Sequence, residues 1–211
     1  MNLGENIEIN CHSSICINEN IYFDPFNIEK VTHNAKIIFI THSHFDHLEL
    51  SSIEMIKNDS TIIVCTLDSA QILKEANIDN EIIVVKPNQK LIVQNIEVET
   101  FPAYNIGHHH FKDLGFVGYK VKIDNVTYTI CGDTDATEEL KQIKTDVLLV
   151  PIGGTYTMNP KEAGKLTNLI RPQLVIPTHY NLISGTMKKQ EAEKEFLDNL
   201  DKNINVKFMI K

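Results

Sequence analysis

One short stretch of the sequence concentrates side chains that bind metal ions. Residues 41–47 read Thr-His-Ser-His-Phe-Asp-His, which places His42, His44, Asp46 and His47 within six positions. Neutral imidazole nitrogens and carboxylate oxygens are ligands that zinc and related divalent ions take in proteins. If other segments also contribute ligands, this run supplies more than a single tetrahedral zinc needs. The stretch therefore predicts a metal site with ligands to spare.

The residues before these ligands predict a buried strand. Residues 37–40 are all apolar, which is typical of a strand covered on both faces, so the polar residues that follow emerge at the rim of a sheet. If the chain stays extended through His44, then His42 and His44 point to the same side, because side chains alternate along a strand. Asp46 and His47 would face the same space from the loop that enters a following helix.

The spacing of the four ligands resembles the HxHxDH motif of the metallo-β-lactamase-fold hydrolase superfamily. Two later segments fit this resemblance, Gly-Asp-Thr-Asp at 132–135 and Pro-Thr-His-Tyr at 177–180, and each follows a predicted strand. In this order behind the first motif they are specific, although each is weak alone. The resemblance covers nearly the whole chain. It is strongest for the branch that includes ascorbate-phosphate lactonases and N-acylphosphatidylethanolamine phospholipases.

The resemblance also implies which residue provides the third motif's ligand, but several neighbours compete. His108, His109 and His110 are adjacent, and Asn105 takes a strand-end position that holds a ligand in many relatives. We favour His110, because the segment 110–119 resembles a motif in which Pro-Ala-Tyr-Asn is followed five positions on by histidine and then by Gly-aromatic-Val-Gly-Tyr. His108 and His109 would then lie beside the site or in solvent.

The predicted site holds two divalent ions. The ligand set is His42, His44 and His110 on one ion, Asp46, His47 and His179 on the other, and Asp133 as the bridge between them. Two such ions about 3.5–4 Å apart can hold a bridging hydroxide near neutral pH, because a single zinc already lowers the pKa of bound water to about 7. Asp46 would also hold the proton of that hydroxide as a general base. We expect zinc, although mixed nitrogen and oxygen ligands also suit manganese, iron or nickel.

Four other residues are candidates for the surroundings of the metals. Asp24 looks like the superfamily's early aspartate, which braces the backbone of the first motif, and His12 in His-Ser-Ser resembles a histidine near the active site of the same branch. For both, the alternative is a buried polar group that is satisfied within the protein. Thr155 and Tyr156 follow a predicted strand in the loop 153–158 and are candidates for substrate contact. The alternative there is a tight turn.

The rest of the sequence predicts an α+β protein of one domain, residues 1–211. Short alternating segments predict one antiparallel meander near the N-terminus and a second one further along, and helices separate the two groups. Mainly antiparallel, mixed sheets covered by helices predict a four-layer αββα sandwich, the metallo-β-lactamase fold. The predicted strands are 7–9, 15–17, 21–23, 37–40, 61–65, 81–85, 90–93, 96–101, 116–123, 126–130, 147–150, 174–176 and 206–210. The main predicted helices begin near Leu50, Thr66, Asn159 and Lys188.

Composition narrows the class of partner. The chain has 20 Lys+Arg against 28 Asp+Glu and a net charge of −8, without a basic run, which argues against nucleic acid. No stretch approaches the roughly 20 apolar residues of a membrane span, and the N-terminus lacks a signal-peptide pattern. Four cysteines without CxxC spacing predict core residues rather than disulfides, and Cys131 lies two positions before Asp133. We expect a cytoplasmic protein with a small-molecule substrate and without a membrane span, and a homo-oligomer remains open.

These observations predict a metal-dependent hydrolase of a small ester, lactone or phosphodiester. No RNA-handling insertion or basic patch accompanies the motifs, which favours a small substrate. Two other classes are open. A mononuclear-iron redox enzyme of the same fold, such as a persulfide dioxygenase, would contain one iron and consume oxygen with a thiol substrate. A non-catalytic metal-binding protein would turn over none of the three substrate types. The complete ligand set argues against both.

Overall fold

The computed structural model describes residues 3–107, 109–180 and 187–210. Within these ranges the chain divides into two compact units. The first contains the residues up to Lys86 together with Ile210, and the second contains those from Pro87 to Met209. Each unit has its own sheet and its own helices.

The first unit contains a mixed sheet. Among the described residues its six strands, in order across the sheet, are β1 (Ile7–Ile9), β2 (Ile15–Ile17), β3 (Ile21–Phe23), β4 (Ile37–Phe39), β5 (Ile62–Cys65) and β6 (Glu81–Val84). The first three pair antiparallel, as the alternating N-terminal segments predict. From β3 to β6 every pair is parallel. The carboxyl ends of β3, β4 and β5 therefore lie at one edge.

Two helices cover one face of this sheet, α1 (Leu50–Ile56) and α2 (Leu67–Glu75). Ile38 of β4 and Ile63 of β5 belong to the same buried cluster as Ile53 of α1 and Leu73 of α2. Complete burial of each such side chain contributes about 1.5–3 kcal/mol. This packing holds the end of β4, where the first motif begins, on a rigid base.

The second unit contains a mixed sheet of seven described strands. They are β7 (Lys90–Val93), β8 (Ile96–Pro102), β9 (Val117–Ile123), β10 (Val126–Ile130), β11 (Val147–Pro151), β12 (Leu174–Thr178) and β13 (Asn205–Val206), each paired with the next. Pairs from β7 to β10 are antiparallel, and pairs from β10 to β13 are parallel. The β9–β10 hairpin turns at Asp124 and Asn125, both with positive φ (50° and 65°), as a two-residue loop of this kind requires.

The helices of the second unit are α3 (Glu138–Lys141), α4 (Pro160–Ile170) and α5 (Lys189–Asp198), with a short 3₁₀ helix at Lys112–Leu114. Asn159 and Glu162 form a capping box that starts α4, because the Asn159 Oδ1 accepts from Glu162 N at 2.9 Å and Glu162 Oε2 accepts from Asn159 N at 3.0 Å. α4 packs against α5 and β11. Within the described ranges, no helix is long and apolar enough to cross a membrane.

The α+β class with two mixed sheets is as predicted, but three local expectations need correction. The strands near 81–101 do not form one meander, because β6 pairs with β5 in parallel in the first sheet while β7 and β8 belong to the second. The helix α2 between β5 and β6 explains this, since a helical crossover brings the next strand back parallel. Antiparallel pairs do not predominate, with five against six parallel ones among the described strands. The last strand has only two residues, Asn205–Val206, rather than spanning 206–210.

Candidate metal centre

The first motif follows β4 but is not extended. β4 ends at Phe39, and a turn at residues 44–48 is closed by hydrogen bonds from His47 N and Leu48 N to His44 O at 2.9 and 2.8 Å. The strand therefore does not continue to His44 as expected. The rings of His42 and His44 nevertheless lie 4.6 Å apart, as expected of neighbours on one side, and the ring of His42 lies 4.1 Å from that of His47. His42 and His47 are buried, and His44 is exposed.

Asp24 connects β3 to this motif. It lies directly after β3, is fully buried, and accepts hydrogen bonds from Thr41 N, Thr41 Oγ1 and His47 Nδ1, each at 2.8 Å. A carboxylate only accepts, so the Nδ1 of His47 carries the proton and its Nε2 carries the lone pair that a metal would use. Such a partner fixes both the tautomer and the ring orientation of a ligand histidine.

His12 contacts the carboxylate of the motif. Its Nε2 lies 3.1 Å from Asp46 Oδ2, and the Nε2 of His47 lies 3.6 Å from the same oxygen. The candidate ligand atoms of His12, Asp46 and His47 all fall within 4.8 Å of one another. His12 is fully buried and has φ +52°, a strained conformation of the kind that clusters at functional sites.

Phe45 is a residue near the site that sequence reasoning missed. It stands between two predicted ligands, yet it is 64% exposed, and its ring makes an edge contact with that of Phe26 (ring centroids 6.1 Å apart). It lines an open cavity of about 380 Å³ together with Leu48, Leu50 and Ile72. An apolar side chain at the variable position of a ligand motif was the signal that could have indicated this surface.

In the second unit, Asp133 and His179 meet at one edge of the sheet. Asp133 follows β10 after a bend at Gly132 (φ +65°), and His179 directly follows β12. Since β10, β11 and β12 are parallel, their carboxyl ends lie together. The Asp133 Oδ1 lies 3.1 Å from the His179 Nε2, and both residues are buried.

His110 is also buried in the second unit, whereas His109 is exposed and His108 lies outside the described residues. The ring of His110 stacks on that of Tyr156, with centroids 5.8 Å apart and planes 19° apart. The side-chain amide of Asn105 accepts a hydrogen bond from His110 N and donates to Asp135 Oδ1 and to the Tyr156 carbonyl. Of the described candidates for the third motif, His110 is thus the buried imidazole.

The loop 153–158 is both a tight turn and a surface beside His110. Thr157 Oγ1 accepts from Gly153 N and Gly154 N at 3.1 and 3.2 Å, which closes the turn. Tyr156 is 41% exposed and receives the edge of the His109 ring at 4.7 Å. Thr155 is partly exposed. The loop is therefore a tight turn, and substrate contact by Thr155 and Tyr156 stays a prediction.

The cysteines are free thiols in the structure. Cys131 is fully buried at the end of β10, and burial raises the pKa of its thiol far above the usual range. Burial also raises the pKa of Cys16 and of Cys65 to about 12. Since the thiolate is the form that binds metals, these thiols are suited to the core rather than to ligation.

The donor atoms fit a divalent metal ion of the zinc type. Each unit brings an imidazole nitrogen to 3.1 Å from a buried carboxylate oxygen, His12 on Asp46 in the first and His179 on Asp133 in the second. Nitrogen and oxygen donors in this combination suit zinc, iron, manganese or nickel.

Comparison with known proteins agrees with this chemistry. Residues 7–179 match the family model described as a beta-lactamase superfamily domain. The chain therefore belongs to the metallo-β-lactamase superfamily. Within it, the chain is a member of the UPF0173 family of metal-dependent hydrolases: it is 33% identical over 153 residues to the UPF0173 metal-dependent hydrolase of Thermococcus kodakarensis, covering 70% of this chain and 67% of that one.

Solved structures show the same fold. A candidate metal-dependent hydrolase from Parabacteroides distasonis has a TM-score of 0.78 at 26% identity, over 97% of this chain and 93% of that one. The metallo hydrolase Igni18 from Ignicoccus hospitalis has a TM-score of 0.74 at 19% identity, over 97% and 94%. The predicted superfamily, fold and enzyme class are confirmed. The narrower branch of lactonases and phospholipases remains a prediction.

Proposed function

We propose that this chain hydrolyses a small ester, lactone or phosphodiester at a centre of two divalent ions, most simply zinc. The observation that carries the proposal is the cluster of buried side chains Asp24, His47, Asp46 and His12. In it the Nδ1 of His47 is fixed by Asp24, while His12 and His47 approach the Asp46 carboxylate at 3.1 and 3.6 Å. Such support of ligands is what a metal site needs to keep its geometry.

The proposed ligand set comprises seven side chains. His42, His44 and His110 would bind one ion, Asp46, His47 and His179 the other, and Asp133 would bridge them. The family model spans both units, from residue 7 to residue 179, which supports treating residues 1–211 as one domain. When bound, two such ions supply a water acidified to a pKa near neutrality and a Lewis acid for the carbonyl or phosphoryl oxygen under attack.

The protein's own residues would orient the reaction. Asp46 would take the proton of the attacking water, because it is the only carboxylate in the first motif and lies among the ligand imidazoles. His12 would hold that carboxylate in place from 3.1 Å. Asp24 would hold His47 in the tautomer that leaves Nε2 for the metal.

The substrate is proposed to be small and partly apolar. The cavity beside Phe45, about 380 Å³, lies near the lower end of the usual 300–1,000 Å³ for ligand sites. Tyr156 offers a second exposed ring next to His110. The net charge of −8 disfavours nucleic acid as a partner. Four free thiols suit a cytoplasmic location.

The test combines metal content with a substrate panel. Protein stripped of metal and reconstituted with excess zinc should contain two ions per chain and hydrolyse at least one of a p-nitrophenyl ester, an aryl lactone or bis-p-nitrophenyl phosphate. The stripped protein serves as the control and should be inactive.

Three results would contradict the proposal. One zinc per chain would exclude the dinuclear centre. One iron with oxygen uptake on a thiol substrate would indicate the redox enzyme instead. Two ions without turnover of any substrate in the panel would indicate a metal-binding protein without catalysis.

A further inference from the structure

Asn105 makes more hydrogen bonds to separate segments than its place in the sequence suggests. It is buried after β8, and its backbone and side chain contact residues 110, 135 and 156. We propose that Asn105 is a positioning residue, which sets His110 for metal binding and joins its loop to the loop of Tyr156. The inference rests on the proposed function in one respect, because it takes His110 as a metal ligand.

The first part of the argument is the closure of the loop 105–110. Asn105 N donates to His110 O at 2.7 Å, and His110 N donates to Asn105 Oδ1 at 3.1 Å. One asparagine thus bonds both backbone polar groups of His110. The described residues of this loop lie outside the strands, and these two bonds fix the backbone from which the His110 ring projects.

The second part is the other end of the amide. Asn105 Nδ2 donates to Asp135 Oδ1 at 3.0 Å and to Tyr156 O at 2.9 Å. The second Asp135 oxygen accepts from Ile106 N at 2.8 Å. Both acceptors lack protons to donate, so the nitrogen of the Asn105 amide must face them and its oxygen must face His110. The orientation of the side chain is therefore determined.

This arrangement explains Asp135, the second aspartate of Gly-Asp-Thr-Asp. Its carboxylate accepts hydrogen bonds from two successive residues of the loop, from the Asn105 side-chain amide and from the Ile106 backbone N–H. Its own backbone N donates to Tyr104 O at 2.9 Å. The segment that carries Asp133 is thereby connected to the segment that carries His110 through hydrogen bonds of Asn105, Ile106 and Tyr104.

A ligand role and a positioning role for Asn105 predict opposite effects of the isosteric change Asn105→Asp. If the amide oxygen bound the metal, a carboxylate would bind it as well or better. If Asn105 is a positioning residue, the new carboxylate oxygen stands about 3 Å from the Asp135 carboxylate and from the Tyr156 carbonyl. These three groups are all acceptors and repel one another. We expect zinc affinity to fall by about 10–100-fold, as for other residues that orient a ligand.

The experiment measures the zinc affinity of the stripped protein by competition with a chromogenic chelator, alongside thermal unfolding of the metal-free form. Asn105→Asp and Asn105→Leu should both weaken zinc binding. The matched control is Asn168→Leu. Asn168 also clamps two segments of the second unit, with Nδ2 to Asn199 O at 2.9 Å and Oδ1 from Asp201 N at 2.7 Å. The Asn168→Leu variant should have lower thermal stability but an unchanged zinc affinity.

A swap of partners distinguishes positioning from general damage to the fold. In Asn105→Asp/Asp135→Asn an amide at 135 again donates to an oxygen at 105, so part of the lost zinc affinity should return. If the double variant regained no zinc affinity, the positioning role of Asn105 would be refuted. Wild-type or tighter zinc binding by Asn105→Asp would refute it as well.

His110→Ala separates the two proposals. If it leaves zinc affinity unchanged, the proposed ligand set fails. If it weakens zinc binding while Asn105→Asp and Asn105→Leu do not, only the role of Asn105 fails.

Discussion

Asp46 is the side chain on which the proposed chemistry depends most directly. It is buried within the first motif, and its Oδ2 lies 3.1 Å from His12 Nε2 and 3.6 Å from His47 Nε2. The hydrogen bond to His12 restricts the rotation of the carboxylate. A group held in this way can both bind a metal and accept a proton in a defined direction.

Asp46→Asn tests this role. The amide keeps the size and one oxygen but removes the charge and the basicity, so turnover should fall by about 10²–10⁴-fold. Metal analysis should show lower occupancy, mainly at the second ion, while circular dichroism stays that of the wild type. Asp68→Asn is the control, because Asp68 accepts a hydrogen bond from Ser43 of the same motif at 2.5 Å without a proposed catalytic role. Full metal content and near wild-type turnover in Asp46→Asn would contradict the mechanism.

Asp24→Asn tests the support beneath the motif. Asp24 accepts hydrogen bonds from three donors, two on Thr41 and one on His47. An asparagine has only one accepting oxygen in its side chain, so at least one of these buried donors would face the new NH₂ group. The free energy of unfolding of the metal-free protein should fall by about 1–3 kcal/mol. Denaturant unfolding measures this loss, and a zinc titration should show weaker binding as well. A lower stability with unchanged zinc binding would show that Asp24 is only a satisfied buried group, and unchanged values in both would contradict the prediction.

At the scale of elements, the edge formed by β10, β11 and β12 determines how the second unit presents its candidate ligands. Three parallel strands end together there, with Asp133 after the first and His179 after the third. Gly153 follows the middle strand and passes close to His179. A Cβ at residue 153 would stand 2.3 Å from His179 O and 3.1 Å from its Nδ1. Only a residue without a side chain leaves His179 in its place.

Gly153→Ala should therefore displace His179 and weaken zinc binding. A backbone oxygen cannot move aside as a flexible side chain would, so we expect a loss of at least about tenfold in zinc affinity, in the range seen when a ligand is misplaced. Competition with a chelator measures the loss. Gly164→Ala is a suitable control, because its new Cβ would meet Asn199 at 3.0 Å inside the α4–α5 contact and should change stability alone. Equal zinc affinities in both variants would refute the argument.

At the scale of the whole molecule, the proposed ligands come from distant parts of the sequence, between residues 42 and 179. An unfolded chain cannot hold them together, so metal should bind the folded state and stabilise it. The stabilisation amounts to about 4 kcal/mol when free metal exceeds its dissociation constant 1,000-fold.

Removal of metal should accordingly lower the melting temperature. Differential scanning calorimetry of zinc-loaded and stripped protein should show the difference, and zinc should restore the higher value. His179→Ala should shrink the zinc-dependent rise. The same melting temperature for loaded and stripped protein would mean that the metal does not bind the folded state preferentially.

Local physics explains what could be predicted from single segments. A fully apolar run followed by polar ligand types marks the end of a buried strand, and for this reason Asp24, Asp133 and His179 were expected just beyond strands and lie there. The start of α4 at Asn159 and Pro160 was predictable for the same reason, because the hydrogen bonds of this N-cap reach only three residues along the chain.

The sequence by itself determined the α+β class and the types of side chain that follow each strand, since periodicity and turn chemistry act over a few residues. The superfamily followed from the resemblance of the first motif to HxHxDH. Tertiary structure alone decided that β6 pairs with β5, that the motif after β4 turns and leaves His44 exposed, and that Asn105 clamps His110. Strand partners and buried hydrogen bonds join residues far apart in the sequence: Ile62 of β5 pairs with Glu81 of β6, and Asn105 bonds Tyr156 at a separation of 51. Such contacts depend on how the whole chain closes, which no local pattern encodes.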